Sequence, residues 1–126
     1  MKRMFLLFCL AGCASSKTET MNIHEYRPAA AAKKPTVYMF STDECEPCRE
    51  AKSVLEREAR LRGDRVIIVD AEDFRLMKRL GYSSLPVFRF VKPGSPDLIV
   101  KGWDKKRFVK AYQHFDDGVM KRESAR

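Results

Sequence analysis

Between Thr36 and Val69 the hydrophobic pattern of the chain switches from strand to helix and back, and this constrains the fold more than any other feature. Thr36-Val-Tyr-Met-Phe40 is rich in β-branched and aromatic residues. Arg65-Val-Ile-Ile-Val69 is almost continuously apolar, as a strand buried on both faces should be. The intervening Glu46 to Arg62 places Ala51, Val54, Leu55 and Leu61 on one helical face, with Glu56/Arg60 and Glu58/Arg62 as i,i+4 pairs outside, and Gly63 closes it. Strand, helix and strand in so short a span form a βαβ unit, whose strands are expected to be parallel with a right-handed crossover.

The rest of the chain extends this unit. A short helix is expected over Glu72 to Leu80, with Phe74, Met77 and Leu80 at helical spacing and Gly81 as its stop. Pro86 to Val91 and Asp97 to Lys101 read as strands joined by Lys92-Pro-Gly-Ser-Pro96; Pro93-Gly94 suits the centre of a type II turn, so the pair is an antiparallel hairpin. Asp104 is expected to cap a last helix carrying Phe108, Tyr112 and Phe115 inward, with His114 packed near that face and residues 118–126 as a frayed tail. Trp103, the only tryptophan, is expected to fill the gap between the last strand and that helix. The predicted order is β-α-β-α-β-β-α: an α/β fold, one domain over residues 36–117, with a mixed four-stranded sheet covered by helices.

The chemistry is concentrated in Thr42-Asp-Glu-Cys-Glu-Pro-Cys-Arg49. Cys45 falls at the junction of the first strand and first helix, where free N–H groups and the helix dipole favour a thiolate. Cys48, one turn further, is close enough to attack a mixed disulfide formed on Cys45. Pro47 suits the first helical turn, where a missing N–H costs little, and it stiffens the link between the sulfurs. A metal clip is the alternative reading, but one C-x-x-C supplies two of the four ligands a structural zinc wants, and His24 and His114 are the only histidines. Asp43, Glu44, Glu46 and Glu50 outnumber Arg49 around the pair, and negative neighbours raise a thiol pKa.

From Pro35 to Phe115 the chain resembles the thioredoxin-like family, with C-E-P-C at the active-site position and Ser83-Ser84-Leu85-Pro86 where that family carries a cis-proline. The resemblance implies that Cys45 is the attacking nucleophile and Cys48 the resolving cysteine of a redox-active disulfide. It also implies that Pro86 is the cis-proline, that Leu85 docks an extended substrate strand, and that no dissociable cofactor or metal is needed. Glu44, Glu46 and Pro47 become the residues that tune the pair. Thioredoxins have an extra strand and helix ahead of the active site, which residues 14–35 look too short and polar to supply, so a core trimmed to glutaredoxin size is expected. Gly102-Trp103-Asp104 stands where glutaredoxins carry a Gly-Gly-x-Asp glutathione contact, which puts glutathione binding in doubt. Glu44 replaces the tryptophan that precedes the first cysteine in thioredoxins, and Met39 occupies the place of their buried proton-relay aspartate. The C-E-P-C sequence is also similar to that of membrane-tethered reductases of cytochrome c maturation.

The N-terminus reads as an export signal. Lys2 and Arg3 precede an apolar run from Met4 to Leu10 that is too short to span a bilayer, which needs about 20 apolar residues. Leu10-Ala11-Gly12-Cys13 resembles the lipobox of bacterial lipoproteins, which implies a signal peptide over residues 1–12 and lipidation of Cys13. Ala14, in place of the aspartate that retains such proteins at the inner membrane, points to outer-membrane sorting where the host has one. Residues 13–35 are then the lipidated cysteine and a flexible tether, on the order of 25 Å in reach, with His24 a solvated polar residue in it. Loss of residues 1–12 takes the formal net charge from +8 to +6. The basic residues are interspersed with acids along the predicted helices and form no basic-aromatic platform, so no nucleic-acid partner is expected.

Two classes of function follow. The first is a monomeric, membrane-anchored, extracytoplasmic thiol:disulfide oxidoreductase, a reductant or isomerase-like enzyme rather than a strong oxidant. It would exchange disulfides with protein substrates and be recharged by a membrane or periplasmic redox partner. The second is a lipoprotein of the same fold that serves as a partner- or metal-binding module, or a cytosolic thioredoxin or glutaredoxin if the signal is unused.

Overall fold

The computed structural model describes residues 18–27 and 34–124, with side chains described as far as residue 116. Residues 1–17, which include the expected signal sequence, Cys9 and Cys13, lie outside the described residues. Strand β1 (Glu19–Asn22) leads into a 3-10 turn (Ile23–Glu25), followed by β2 (Thr36–Ser41), α1 (Glu46–Arg62), β3 (Arg65–Asp70), α2 (Phe74–Arg79), β4 (Val87–Val91), β5 (Leu98–Lys101) and α3 (Lys105–Ser124). The strand order across the sheet is β1-β3-β2-β4-β5. β1, β3 and β2 are parallel, whereas β4 runs antiparallel to β2 and β5 antiparallel to β4. Among the described residues no helix is long and apolar enough to cross a membrane.

The βαβ unit forms as read. β2 and β3 pair from Thr36 with Arg65 to Ser41 with Asp70, and Gly63 ends α1 at φ +73°, its N–H donating back into the last turn. Alternate residues of these strands feed two cores. Val37, Met39, Val66, Ile68, Phe88 and Phe90 face α1 and α3. Tyr38, Phe40, Ile67, Val69 and Val87 face the 3-10 turn and α2. Burial on both faces explains why Arg65 to Val69 carries almost no polar alternation.

The sheet has a fifth strand, and this corrects the four-stranded expectation. Glu19–Asn22 pairs in parallel with Ile67 to Asp70 at the β3 edge, so part of the segment read as a tether belongs to the domain and the core is not trimmed there. The Arg65 guanidinium binds both oxygens of Glu19, at 2.6 and 2.7 Å, and this holds the Glu19 carboxyl below its usual range. The pair is half-exposed and worth at most about 1 kcal/mol. Burial does more. Ile23 and Tyr26 are 4% and 5% exposed, with the Tyr26 ring edge-on to Tyr38 and Phe40 at 5.2 and 5.0 Å. Complete burial of one such side chain contributes about 1.5–3 kcal/mol. Asn22 caps the turn, accepting from the His24 N–H, while Glu25 accepts from the Asn22 N–H.

Five smaller expectations are revised. Leu61 is 76% exposed and its place in the core is taken by Ala59, because Leu61 lies at the margin of the apolar stripe in the last turn of α1. Glu58 and Arg62 are not simply on the outside: Arg62 binds both Glu58 and Asp116, joining α1 to α3, while Glu56 accepts from Thr18 at 2.8 Å. α3 runs through Gly118 to Ser124, so residues 118–124 are not a tail; one interior glycine costs a helix only about 1 kcal/mol. His114 is exposed, since Phe108, Tyr112 and Phe115 occupy the buried face of α3. α2 is shorter than the expected Glu72 to Leu80, and of its apolar residues Phe74 is exposed while Met77 is buried. The hairpin and the start of α3 follow the pattern: Asp104 accepts from the Arg107 N–H at 3.1 Å, and Ser95 N–H closes the turn onto Lys92 at 3.2 Å with Gly94 at φ +77°.

Candidate active site

The first turn of α1 is built around a disulfide. Cys45 is the N-cap residue, Glu46 and Pro47 open the helix, and Cys45 is bonded to Cys48 with their Cα atoms 5.3 Å apart. Their exposures differ. Cys45 is partly exposed and Cys48 only 4% exposed, so an incoming disulfide can reach the first sulfur and not the second. Once the bond is reduced, Cys45 stands where the unpaired N–H groups of a 17-residue helix converge, which favours its thiolate.

The Leu85–Pro86 peptide bond is cis and immediately precedes β4. The N–H of Gly102 donates to the Pro86 carbonyl at 2.8 Å, which fixes the proline loop to the end of β5. Gly102 takes φ +85°, so the backbone turns sharply there without a side chain. Cys45, Leu85 and Trp103 all pack on the edge of the core beneath α1 and α3.

Trp103 fills the expected gap, with its ring centroid 6.0 Å from Phe88 and 5.4 Å from Phe108. It also does something the sequence did not disclose: its indole Nε1 donates to Glu50 Oε1 at 2.9 Å. Glu50 belongs to α1, so the loop after β5 is tied to the helix that carries the cysteines. No spacing rule links residues 50 and 103, and only the packing of the loop after β5 against α1 brings them together.

Glu44, Glu46 and Pro47 are exposed, as are Asp43 and Glu50. Arg49 lies 3.7 Å from Glu46, an exposed pair of little energetic weight. Met39, which the resemblance put at the place of a buried aspartate, is fully buried in the same core cluster as Cys48. Cys48 also lines a cavity of about 330 Å³, with Asp43, Lys52 and Asp70 on its wall. His24 is 63% exposed and 3.4 Å from Asp73, far in the chain from the pair. No group of three or more histidine, cysteine or acidic side chains among the described residues is arranged to hold a metal.

No protein-family model and no curated protein sequence matches the chain. Solved structures do. The long form of thioredoxin f from spinach chloroplast superposes with a TM-score of 0.65 at 25% identity, over 83% of this chain and 91% of that one. The germline-specific thioredoxin Deadhead of Drosophila melanogaster gives 0.59 at 25% identity, over 77% and 97%. Chloroplastic thioredoxin z gives 0.64 at 20% identity, over 79% and 95%.

The chain has the thioredoxin fold.

In this thioredoxin-fold protein β1 supplies the extra strand that such proteins carry ahead of the active site, and within the described residues the 3-10 turn Ile23–Glu25 follows it. The sheet thus has the strand that was not expected ahead of the active site, while the cysteine pair stands where the sequence placed it. A disulfide of C-x-x-C spacing in this fold supports thiol-disulfide oxidoreductase activity.

Proposed function

We propose that the protein is a thiol:disulfide oxidoreductase that reduces or isomerises disulfides of protein substrates. The observation that carries this reading is the asymmetry of the pair: Cys45 is reachable at the N-cap of α1 and Cys48 is enclosed one turn below, with Leu85, which precedes the cis-proline, packed against the same core cluster as Cys45.

The Cys45 thiolate attacks one sulfur of a substrate disulfide, forming a mixed disulfide and releasing the other substrate sulfur as a thiolate that takes up a proton. The Cys48 thiolate then attacks the Cys45 sulfur, releasing the second substrate thiolate and forming the Cys45–Cys48 bond. Two electrons pass from the protein to the substrate, and a dithiol donor must return them. Leu85 and Pro86 offer the backbone along which an extended substrate segment lies. Asp43, Glu44, Glu46 and Glu50 oppose thiolate formation at Cys45, which supports a reductant or isomerase over a strong oxidant. A measured potential near about −120 mV, that of strong oxidants, would rule out this direction.

The Lys2-Arg3 start, the Met4 to Leu10 run and Leu10-Ala11-Gly12-Cys13 support an extracytoplasmic protein anchored by a lipid on Cys13, at the outer membrane where one is present. Insulin reduction abolished in both Cys45→Ser and Cys48→Ser would support the enzyme, whereas activity in Cys45→Ser would overturn it. Movement of Cys13→Ser from the membrane to the soluble fraction tests the anchor, and an unchanged distribution would reject it.

A further inference from the structure

Two opposed groups of charge flank the Trp103–Glu50 hydrogen bond, which ties the loop after β5 to the helix that begins at Cys45. Where α1 begins, Asp43, Glu44, Glu46 and Glu50 are exposed. Where α3 begins, Lys105, Lys106 and Arg107 occupy the first turn, behind the single carboxylate of Asp104, which accepts from the Arg107 N–H; all three cations are exposed, as is Lys110 one turn on. The helix dipole opposes cations at this end, so the cluster does not stabilise α3. Among the described residues Lys105, Lys106 and Lys110 form no ion pair. Arg107 donates to the Lys101 carbonyl at 2.6 Å, which brings its charge to the end of β5, next to the Gly102–Pro86 contact.

We propose that the substrate is a protein whose reactive cysteine is flanked by acidic side chains. Those carboxylates lie over Lys105, Lys106 and Arg107, and the acids at the start of α1 repel the same segment in the reverse orientation. This inference deepens the proposed thiol-disulfide exchange and rests on it. An anionic membrane would satisfy the same cations, but it would cover the start of α3 and the adjoining proline loop, where the substrate must lie. A protein is therefore the better fit. Charges at such a rim act mainly on association rate and on the choice of partner.

The test uses the full chain, reduced, and three looped peptide disulfides that differ only in flanking Glu, Gln or Lys. At low ionic strength the Glu peptide should be reduced on the order of tenfold faster than the Lys peptide. The ratio should shrink towards one at 1 M salt, where the screening length is about 3 Å. The double variant Lys105→Glu/Lys106→Glu, which the dipole should make no less stable to heat, should invert the order. Reduction of all three peptides at one rate, or a preference that survives the double variant, would overturn this inference alone. So would a variant whose single effect is loss of binding to phosphatidylglycerol vesicles. Failure to reduce any of the peptides would overturn the proposed function and this inference with it.

Discussion

The hydroxyl of Tyr112 donates to the Asp64 carboxylate at 2.6 Å, which joins the last helix to the turn that ends the cysteine-bearing helix. Tyr112 is fully buried, and burial together with Asp64 holds its hydroxyl well above the usual phenol range. It therefore remains a donor at every working pH. Burial likewise raises the Asp64 pKa; the Tyr112 hydrogen bond works against this, the Asp116 charge adds to it, and Arg62 and Lys92 oppose it.

A carboxyl whose pKa is higher in the fold than in the unfolded chain favours folding fully below its unfolded value, and loses that contribution as pH rises through the folded one. The stability of wild type relative to Asp64→Asn should therefore fall between pH 3 and pH 7. Urea unfolding across that range measures it, and a rising difference would contradict the sign. Tyr112→Phe removes the donor and leaves Asp64 in place, at a cost of about 1–3 kcal/mol near neutral pH.

Ile23→Ala distinguishes an integral N-terminal segment from a tether. A cost of about 2–4 kcal/mol is expected for a core isoleucine, against less than about 0.5 kcal/mol for a residue on an exposed leash. Chemical denaturation of the full chain separates the two.

Leu55→Ala and Leu61→Ala should diverge although both leucines are on α1. Leu55 is fully buried and Leu61 is 76% exposed, so the first should cost about 3 kcal/mol or more and the second about 0.5 kcal/mol or less. Similar losses from both would place Leu61 in a contact that this arrangement does not contain.

Cys48→Ser should stop exchange halfway. Without the resolving sulfur, substrates should accumulate as mixed disulfides on Cys45, visible by non-reducing electrophoresis and absent from Cys45→Ser. Accumulation on Cys48 in Cys45→Ser would reverse the assigned roles.

The cysteine pair, the helix limits Glu46–Arg62 and the antiparallel hairpin were legible in the sequence, because each has a local signature: a junction, a Gly stop, or a Pro-Gly turn; the proline loop was legible only through the family resemblance of Ser83-Ser84-Leu85-Pro86. β1 was not. Four residues at a sheet edge, Glu-Thr-Met-Asn, carry no period-2 pattern, and they are held by pairing with β3 and by the burial of Ile23 and Tyr26 just beyond them. Leu61 and His114 were misplaced for a related reason: helical periodicity defines a stripe, but the neighbouring elements decide how far along and around the helix that stripe is covered. The contact between Trp103 and Glu50 lay beyond local reading altogether, since it depends on the loop after β5 packing against α1.

The pairing of Glu19 with Ile67 also bears on the proposed lipid anchor. If Cys13 holds a lipid, only residues 14–18 separate the anchor from the sheet, and five residues span at most about 18 Å even when pulled straight. A protein on so short a leash would not patrol the compartment around it. It would work at the bilayer face, and disulfides would have to be delivered to it there by proteins that themselves reside in or visit that membrane.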